Sequence, residues 1–282
     1  LVEEQYSTHV VNPLYNWGPK PKYERITIRQ IDDSTAAIQA VDNGEVQIAS
    51  GQPTADVLQL VQALTNAEYA SSEEAAYEHI DLSVNNGGPF DPASYGGDEE
   101  KALKVRQAFL LSVPRNEIIE KLIKPLNPSA KLRTSVLFVP GAEGYDEAEA
   151  NYAQYLGTDE ENRELAKSLL AEAGVSTPID VEFWFPEGNV RRGQEFELIA
   201  LSASQTGFNV ISESEPNWAF TENVYPEINP HDATIFAWAA TSLAVSGDDQ
   251  YLTLTGPSNW TGYDNATVDG LLEELNVAVK KE

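Results

Sequence analysis

The sequence predicts an α/β fold in which helices cover a mixed or parallel sheet. Two stretches carry that prediction, residues 23–64 and 179–211, because in each a strand pattern leads through a helical pattern into a second strand. Size carries the rest. The 282 residues, 41% hydrophobic and 9% aromatic, suffice for one large or two modest domains at about 150 residues each. A chain near this length buries roughly 75% of its unfolded surface, so a packed core is expected.

Taken in order, Pro13, Gly18, Pro19 and Pro21 break regular structure early, and the start reads as loop. Tyr23 to Ile31 alternates around Ile26, Ile28 and Ile31 and reads as a strand. Ser34 is placed as an N-cap for a short helix striped by Ala37, Ile38 and Val41. Asn43-Gly44 ends it, with the glycine supplying a left-handed residue. Val46 to Ala49 reads as a strand. Ala55 to Leu64 reads as a helix with Val57, Leu60, Val61 and Leu64 on one face.

Ile80 to Val84 reads as the next strand. The polar run from Asn86 to Glu100 is the clearest composition shift, and a domain boundary is expected near it. Helices follow at Lys101–Ser112, with Val105, Ala108, Phe109 and Ser112 inward, and at Asn116–Ile123. Phe138 to Tyr145 is irregular. Glu160–Ala173 is a strong helix with Leu165, Leu169 and Leu170 inward and Gly174 as its stop. Ile179–Phe185, a helix at Val190–Gln205 and Asn209–Ile211 complete the second unit of strand, helix and strand. His231 to Ala240 gives a last strand, and Val268, Leu271, Leu272 and Leu275 line a final helix.

The net charge of −27 argues against a nucleic-acid partner, which needs a basic stripe, and against docking on anionic lipid. It reads as a solubility device. With no cysteine, disulfides, thiolate metal sites and cysteine nucleophiles are excluded. With no methionine, the chain from Leu1 is expected to be a processed or excised piece. No run approaches the roughly 20 apolar residues of a membrane span.

His9, His79 and His231 lack metal-ligand spacing, and no metal or cofactor is expected. The acidic pairs Asp32-Asp33, Glu73-Glu74, Asp98-Glu99-Glu100, Glu160-Glu161 and Asp248-Asp249 fall mostly at helix starts, where they complement the dipole, or in loops. Arg191-Arg192 opens a helix. Anion capture there is weighed against a solvated pair that relieves an acidic surface, and the solvated pair is preferred. Asn259-Trp260-Thr261 and Asn265-Ala266-Thr267 match a glycosylation sequon that arises often by chance. Among the tryptophans, core packing accounts for Trp184, while Trp238 suits stacking on a ligand.

Several segments resemble one family in the right order. Tyr15-Asn16-Trp17-Gly18-Pro19-Lys20-Pro21-Lys22, followed by Ile26-Thr27-Ile28-Arg29, is similar to the "N-P-x-Y-W-G-x-x-P" stretch of family 5 extracellular solute-binding proteins, the peptide/nickel-type receptors of ABC importers. Asn43-Gly44-Glu45-Val46-Gln47-Ile48-Ala49 resembles their "x-G-E-V-D-I-A". Val105-Arg106-Gln107-Ala108-Phe109 with Val113 to Ile119 resembles "V-R-Q-A-x…I-D-R-x-x-I-I", and Ala166 to Gly174 resembles "A-x-x-L-L-x-E-A-G". Phe236 to Ala240 and Ser258 to Tyr263 are similar to the late "x-G-W-x-A-D" and "N-x-x-x-Y" segments.

The resemblance implies a type II periplasmic-binding-protein-like α/β fold, mostly lobe two plus a remnant of lobe one. Residues 1–81 would be the later part of lobe one and the hinge approach, and 82–282 a nearly whole lobe two. It implies a monomeric receptor outside the cell or in the periplasm, compatible with a lipid anchor in a longer parent. Such a receptor hands a small solute, a peptide first, to a membrane ABC permease by hinge closure, without catalysis. Trp238 is expected as a stacking wall, Thr241 as a polar contact and Asn85 as a contact near the hinge. Peptide-binding members often carry Asp at the position of Thr241. A hydroxyl cannot hold a ligand ammonium by a charge-assisted bond, so another peptide register, an oligosaccharide or another solute stays open. The rival readings are a secreted carbohydrate-active hydrolase with paired carboxylates, and an oligosaccharide-binding or sensory module on the same fold.

Overall fold

The structure, a computed structural model, describes residues 5–70, 76–135, 138, 140–141, 143–214, 231–239 and 259–277. The chain divides into two compact units, Leu1–Ala70 and Ser71–Glu282. The division precedes the strand that carries the 81/82 border expected from sequence. The polar run 86–100 lies inside the second unit, where Phe90 is fully buried.

In the first unit, β1 (Tyr6–Val10) pairs antiparallel with β2 (Arg25–Arg29), Tyr6 opposite Arg29 and Val10 opposite Arg25. β1 was not expected, because its Ser7-Thr8-His9 centre has no apolar alternation. Helix α1 (Ser34–Asp42) is capped by Asp33, which accepts from the Ala36 amide at 2.7 Å. The expected cap, Ser34, is the first helical residue, and its hydroxyl accepts from the Gln52 amide instead. Gly44 follows at φ 75°, as the turn requires. Val46–Ala49 forms no strand, and Ile48 is 87% exposed. The expected strand–helix–strand unit is therefore a hairpin followed by two helices. Helix α2 (Ala55–Ala63) starts at Thr54, whose hydroxyl accepts from the Val57 amide.

The second unit is built on a four-stranded sheet of order β3-β6-β4-β5. The strands are β3 (Ala76–Leu82), β4 (Ile179–Trp184), β5 (Phe208–Ser212) and β6 (Ala233–Ala239). β4 runs parallel to β5 and β6, and β3 is the antiparallel edge. Helices α3 (Glu99–Ser112), α6 (Asp159–Ala173) and α7 (Val190–Ser204) supply the helical layer. The short helices α4 (Arg115–Ile118) and α5 (Tyr145–Ala150) lie in the connections, and α8 (Ala266–Val277) comes last.

These helices start where the sequence marks them. Asp98 caps α3 and Asn189 caps α7. Thr158 and Glu161 form a reciprocal capping box on α6, which stops at Gly174 with φ 62°. Glu161 is held below the usual carboxylate range, first by the Thr158 amide and then by its hydroxyl. The core forms on one face of the sheet. Val181 and Phe183 of β4, with Ala233 and Ile235 of β6, meet Val105, Ala108 and Phe109 of α3, Ala166 and Leu170 of α6, and Ile199 and Ala203 of α7. On α6 the buried line is Asn162, Ala166, Leu170 and Ala173, while Leu165, expected inward, is exposed. The resemblance motifs around Ala108 and Ala166 are thus core positions of these two helices.

Past β3 the chain is sewn to the start of β6. The Ser83 amide donates to Asp232 O, its hydroxyl to His231 O, and the Val84 amide to Thr261 O. The Asp232 carboxylate accepts from the Glu182 amide at 2.9 Å and from Asn86 Nδ2 at 3.1 Å. Burial raises its pKa, and these two donors oppose the rise. Gly88 lets that carboxylate in: a Cβ on Gly88 would stand 1.9 Å from Asp232 Oδ1. Gly88→Ala is expected to expel the carboxylate, orphan the Glu182 amide and destabilise the unit by about 1–3 kcal/mol, read from urea unfolding. An unchanged midpoint would show that Asp232 has room to shift.

Candidate functional site

The β3–β6 register decides where the expected site residues stand. Tyr77 lies opposite Trp238 at one end, and Leu82 lies opposite Ala233 at the other. At about 3.4 Å per residue, the step from Tyr77 to Leu82 spans roughly 17 Å. Asn85 lies beyond Leu82, exposed, with its amide over the Cα of Gly262, where a Cβ would come within 2.1 Å. Trp238 and Asn85 therefore stand at opposite ends of the ladder. Thr241 lies outside the described residues.

The Trp238 end is the carboxyl end of β6, which runs on past the end of its parallel neighbour β4, where Trp184 lies opposite Thr234. Open α/β sheets bind ligands outside that edge. Its chemistry is aromatic and cationic. Arg133 stacks over the Tyr77 ring at 4.2 Å. Phe236 meets Trp260 edge to face at 5.1 Å, and both pack on the fully buried Trp184. Trp184 is thus a packing residue, as expected. His79 Nδ1 lies 3.0 Å from Asp81 Oδ1.

Beside these rings sits a group of charges that sequence reasoning misread. Arg191 and Arg192 are not a solvated pair. Arg192 is 4% exposed, and both guanidinium groups bind Glu78 of β3, Arg191 through Nη2 at 2.5 Å and Arg192 through Nε. Arg191 Nε also donates to Glu195 Oε1 at 3.2 Å. The Arg191–Glu195 spacing of four residues was a readable signal of a pair on one helix face. Glu78 was not readable, because it comes from a strand far away in sequence. The Arg192 guanidinium also lies 5.2 Å from the Phe236 ring centroid, within cation–π range.

The remaining candidates serve structure. Asn259 is buried and donates to Tyr263 O, so the first sequon asparagine is engaged within the fold, and Asn265 accepts from the Thr267 and Val268 amides at the start of α8. Asp33 and Asp98 are caps, whereas Glu73-Glu74 and Asp248-Asp249 lie outside the described residues. Among the described residues, no group of three or more His, Asp or Glu could hold a metal ion, and no helix is long and apolar enough to cross a membrane.

The mixed sheet with one antiparallel edge strand and helices on its core face agrees with the class that the likeness to solved structures shows, a type II periplasmic-binding-protein-like fold. The match that narrows it, to "Bacterial extracellular solute-binding proteins, family 5 Middle", runs over residues 1–262, and the chain belongs to that family. Among solved structures it is similar to the periplasmic EDTA-binding protein EppA, at 22% identity and a TM-score of 0.77, over 98% of this chain and 51% of that one. It is similar to NikZ from Campylobacter jejuni in complex with Ni(L-His), at 17% and 0.74, over 99% and 54%. It is also similar to the oligopeptide-binding protein AppA from Bacillus subtilis in complex with a nonapeptide, at 18% and 0.69, over 99% and 54%. The chain spans about half the length of these structures. No curated protein sequence matches it.

Proposed function

We propose that this chain contributes to a solute-binding receptor of an ABC importer, working on the outer side of a membrane. The family match over residues 1–262 carries this reading. Residues 1–81 belong to lobe one and the approach to the hinge, and 82–282 to lobe two. A solute gripped by both lobes favours the shut form of the hinge and shifts the population toward it. No covalent bond changes, and the receptor acts as a monomer with a membrane permease as its partner. The contact edge is the Trp238 end of the sheet, where Tyr77, Phe236 and Trp260 supply ring surface. Thr241 adds a hydroxyl. Asn85, at the far end of the ladder, is the candidate contact near the hinge.

A peptide is the first candidate solute. Of the three structures named above, one is in complex with a nonapeptide, one with Ni(L-His) and one is an EDTA-binding protein, so the class of solute is a matter for titration. Calorimetry with a tripeptide mixture, with nickel–histidine and with oligosaccharides is expected to show solute affinity lost in this chain alone, which spans about half the length of the similar structures, and saturable peptide binding in a receptor that carries both lobes. Trp238→Ala is expected to weaken it about tenfold, the worth of one aromatic contact. Hydrolysis of chromogenic glycosides would instead establish the hydrolase reading and overturn this one.

A further inference from the structure

The charge cluster between β3 and α7 is incomplete at two places. Glu195 Oε1 accepts from Arg191, but Glu195 Oε2 is buried with no hydrogen-bond partner. Arg192 Nε binds Glu78, but Arg192 Nη1 is buried with none. The two side chains are 2% and 4% exposed. They stand three residues apart on α7, a spacing that makes them neighbours on the helix surface. An unused donor and an unused acceptor within one turn provide a second way to arrange the same cluster. In the arrangement seen, the Arg192 guanidinium serves Glu78 and lies over the Phe236 ring.

We propose that a proton on Glu195 sets the position of Arg192. With Glu195 neutral, the guanidinium stays on Glu78 and Phe236; with Glu195 ionised, Nη1 swings to Glu195 Oε2 and the cation leaves the ring. This switch goes beyond the receptor reading and does not depend on it. Charge and burial support it. Burial first, and then the Glu78 carboxylate, push Glu195 up to about 7, against the pull of Arg191 and Arg192. The charged groups that face Glu195 are therefore Glu78 from β3 and the two arginines of its own helix. Of the other elements that touch α7, α6 brings Arg163 onto Ser202 Oγ at 3.5 Å, and neither it nor α3, α4 or β5 places, among the described residues, an ionisable group in hydrogen-bond or ion-pair contact with Glu195. The sign follows from a raised folded-state value. The stabilisation from the bound proton is complete below 4.5, the ordinary carboxyl value, and is lost as pH rises through about 7.

The test is carboxyl and phenylalanine-ring NMR on the full chain between about pH 5 and 9, the range that brackets a shifted carboxyl group. The Glu195 carboxyl and the Phe236 ring resonances are expected to move together, with a common midpoint near 7. In Glu195→Gln, which fixes the neutral setting, the Phe236 shift should vanish. A Phe236 resonance that stays still in the unaltered protein, or that titrates unchanged in Glu195→Gln, overturns the proposal. Should that variant not fold, Arg192→Lys lacks the guanidinium fork and gives an independent reading. Glu195 should still titrate there while Phe236 no longer follows, and a Phe236 shift that persists would overturn the proposal equally.

Discussion

Glu78→Ala is expected to destabilise the second unit by about 3–5 kcal/mol, the usual consequence of leaving buried charge without its counter-charge. Glu78 is the acceptor for both Arg191 and Arg192, and Arg192 is almost fully buried. Removing it strands two guanidinium groups against one carboxyl group that already holds its proton near neutrality. The effect should appear as a lowered urea midpoint at unchanged slope. A control separates this from ordinary surface pairing. Glu100→Ala removes an exposed partner of Lys104 on α3, and its midpoint should not move measurably. If both variants unfold alike, the cluster is solvated in solution and the buried arrangement is wrong.

Phe109→Ala should be as severe, at about 3–5 kcal/mol, for an apolar reason. Phe109 is fully buried in α3. Its ring stands 5.1 Å from that of Phe90, in the polar run before the helix, and 5.3 Å from that of Phe208 on β5. Its loss opens a cavity where loop, helix and sheet meet, and close-packed surroundings fill such a void only in part. Leu103 lies on the same helix but is 43% exposed, so Leu103→Ala should give a much smaller change under the same urea protocol. Equal losses at the two positions would contradict the packing described above.

Local rules were enough to read most of the second unit. The α6 helix was legible because Thr158, Glu161 and Gly174 mark its ends with side-chain chemistry that acts within a few residues. The inner face of α3 followed from the spacing of Val105, Ala108, Phe109 and Ser112, all buried. Where two elements had to choose each other, the sequence said less. Val46–Ala49 has the composition of a strand, but among the described residues it joins neither β1 nor β2, which pair with each other. Leu165 reads as inward by hydrophobicity, yet the 3.6-residue period that buries Ala166 and Leu170 turns it outward. Arg191-Arg192 looked like a surface feature because Glu78, which draws the pair inward, is visible only once β3 is paired. The same holds for Trp238 and Asn85: each is recognisable alone, but only the register shows that the ladder separates them.

Gly88 and Asp232 behave as one inherited character. A descendant that grows a methyl group at the first position must shorten the side chain at the second, since both cannot occupy the same 1.9 Å. Related sequences should therefore pair a bare backbone at the first site with an acid at the second, or surrender both together, even where everything around them has drifted.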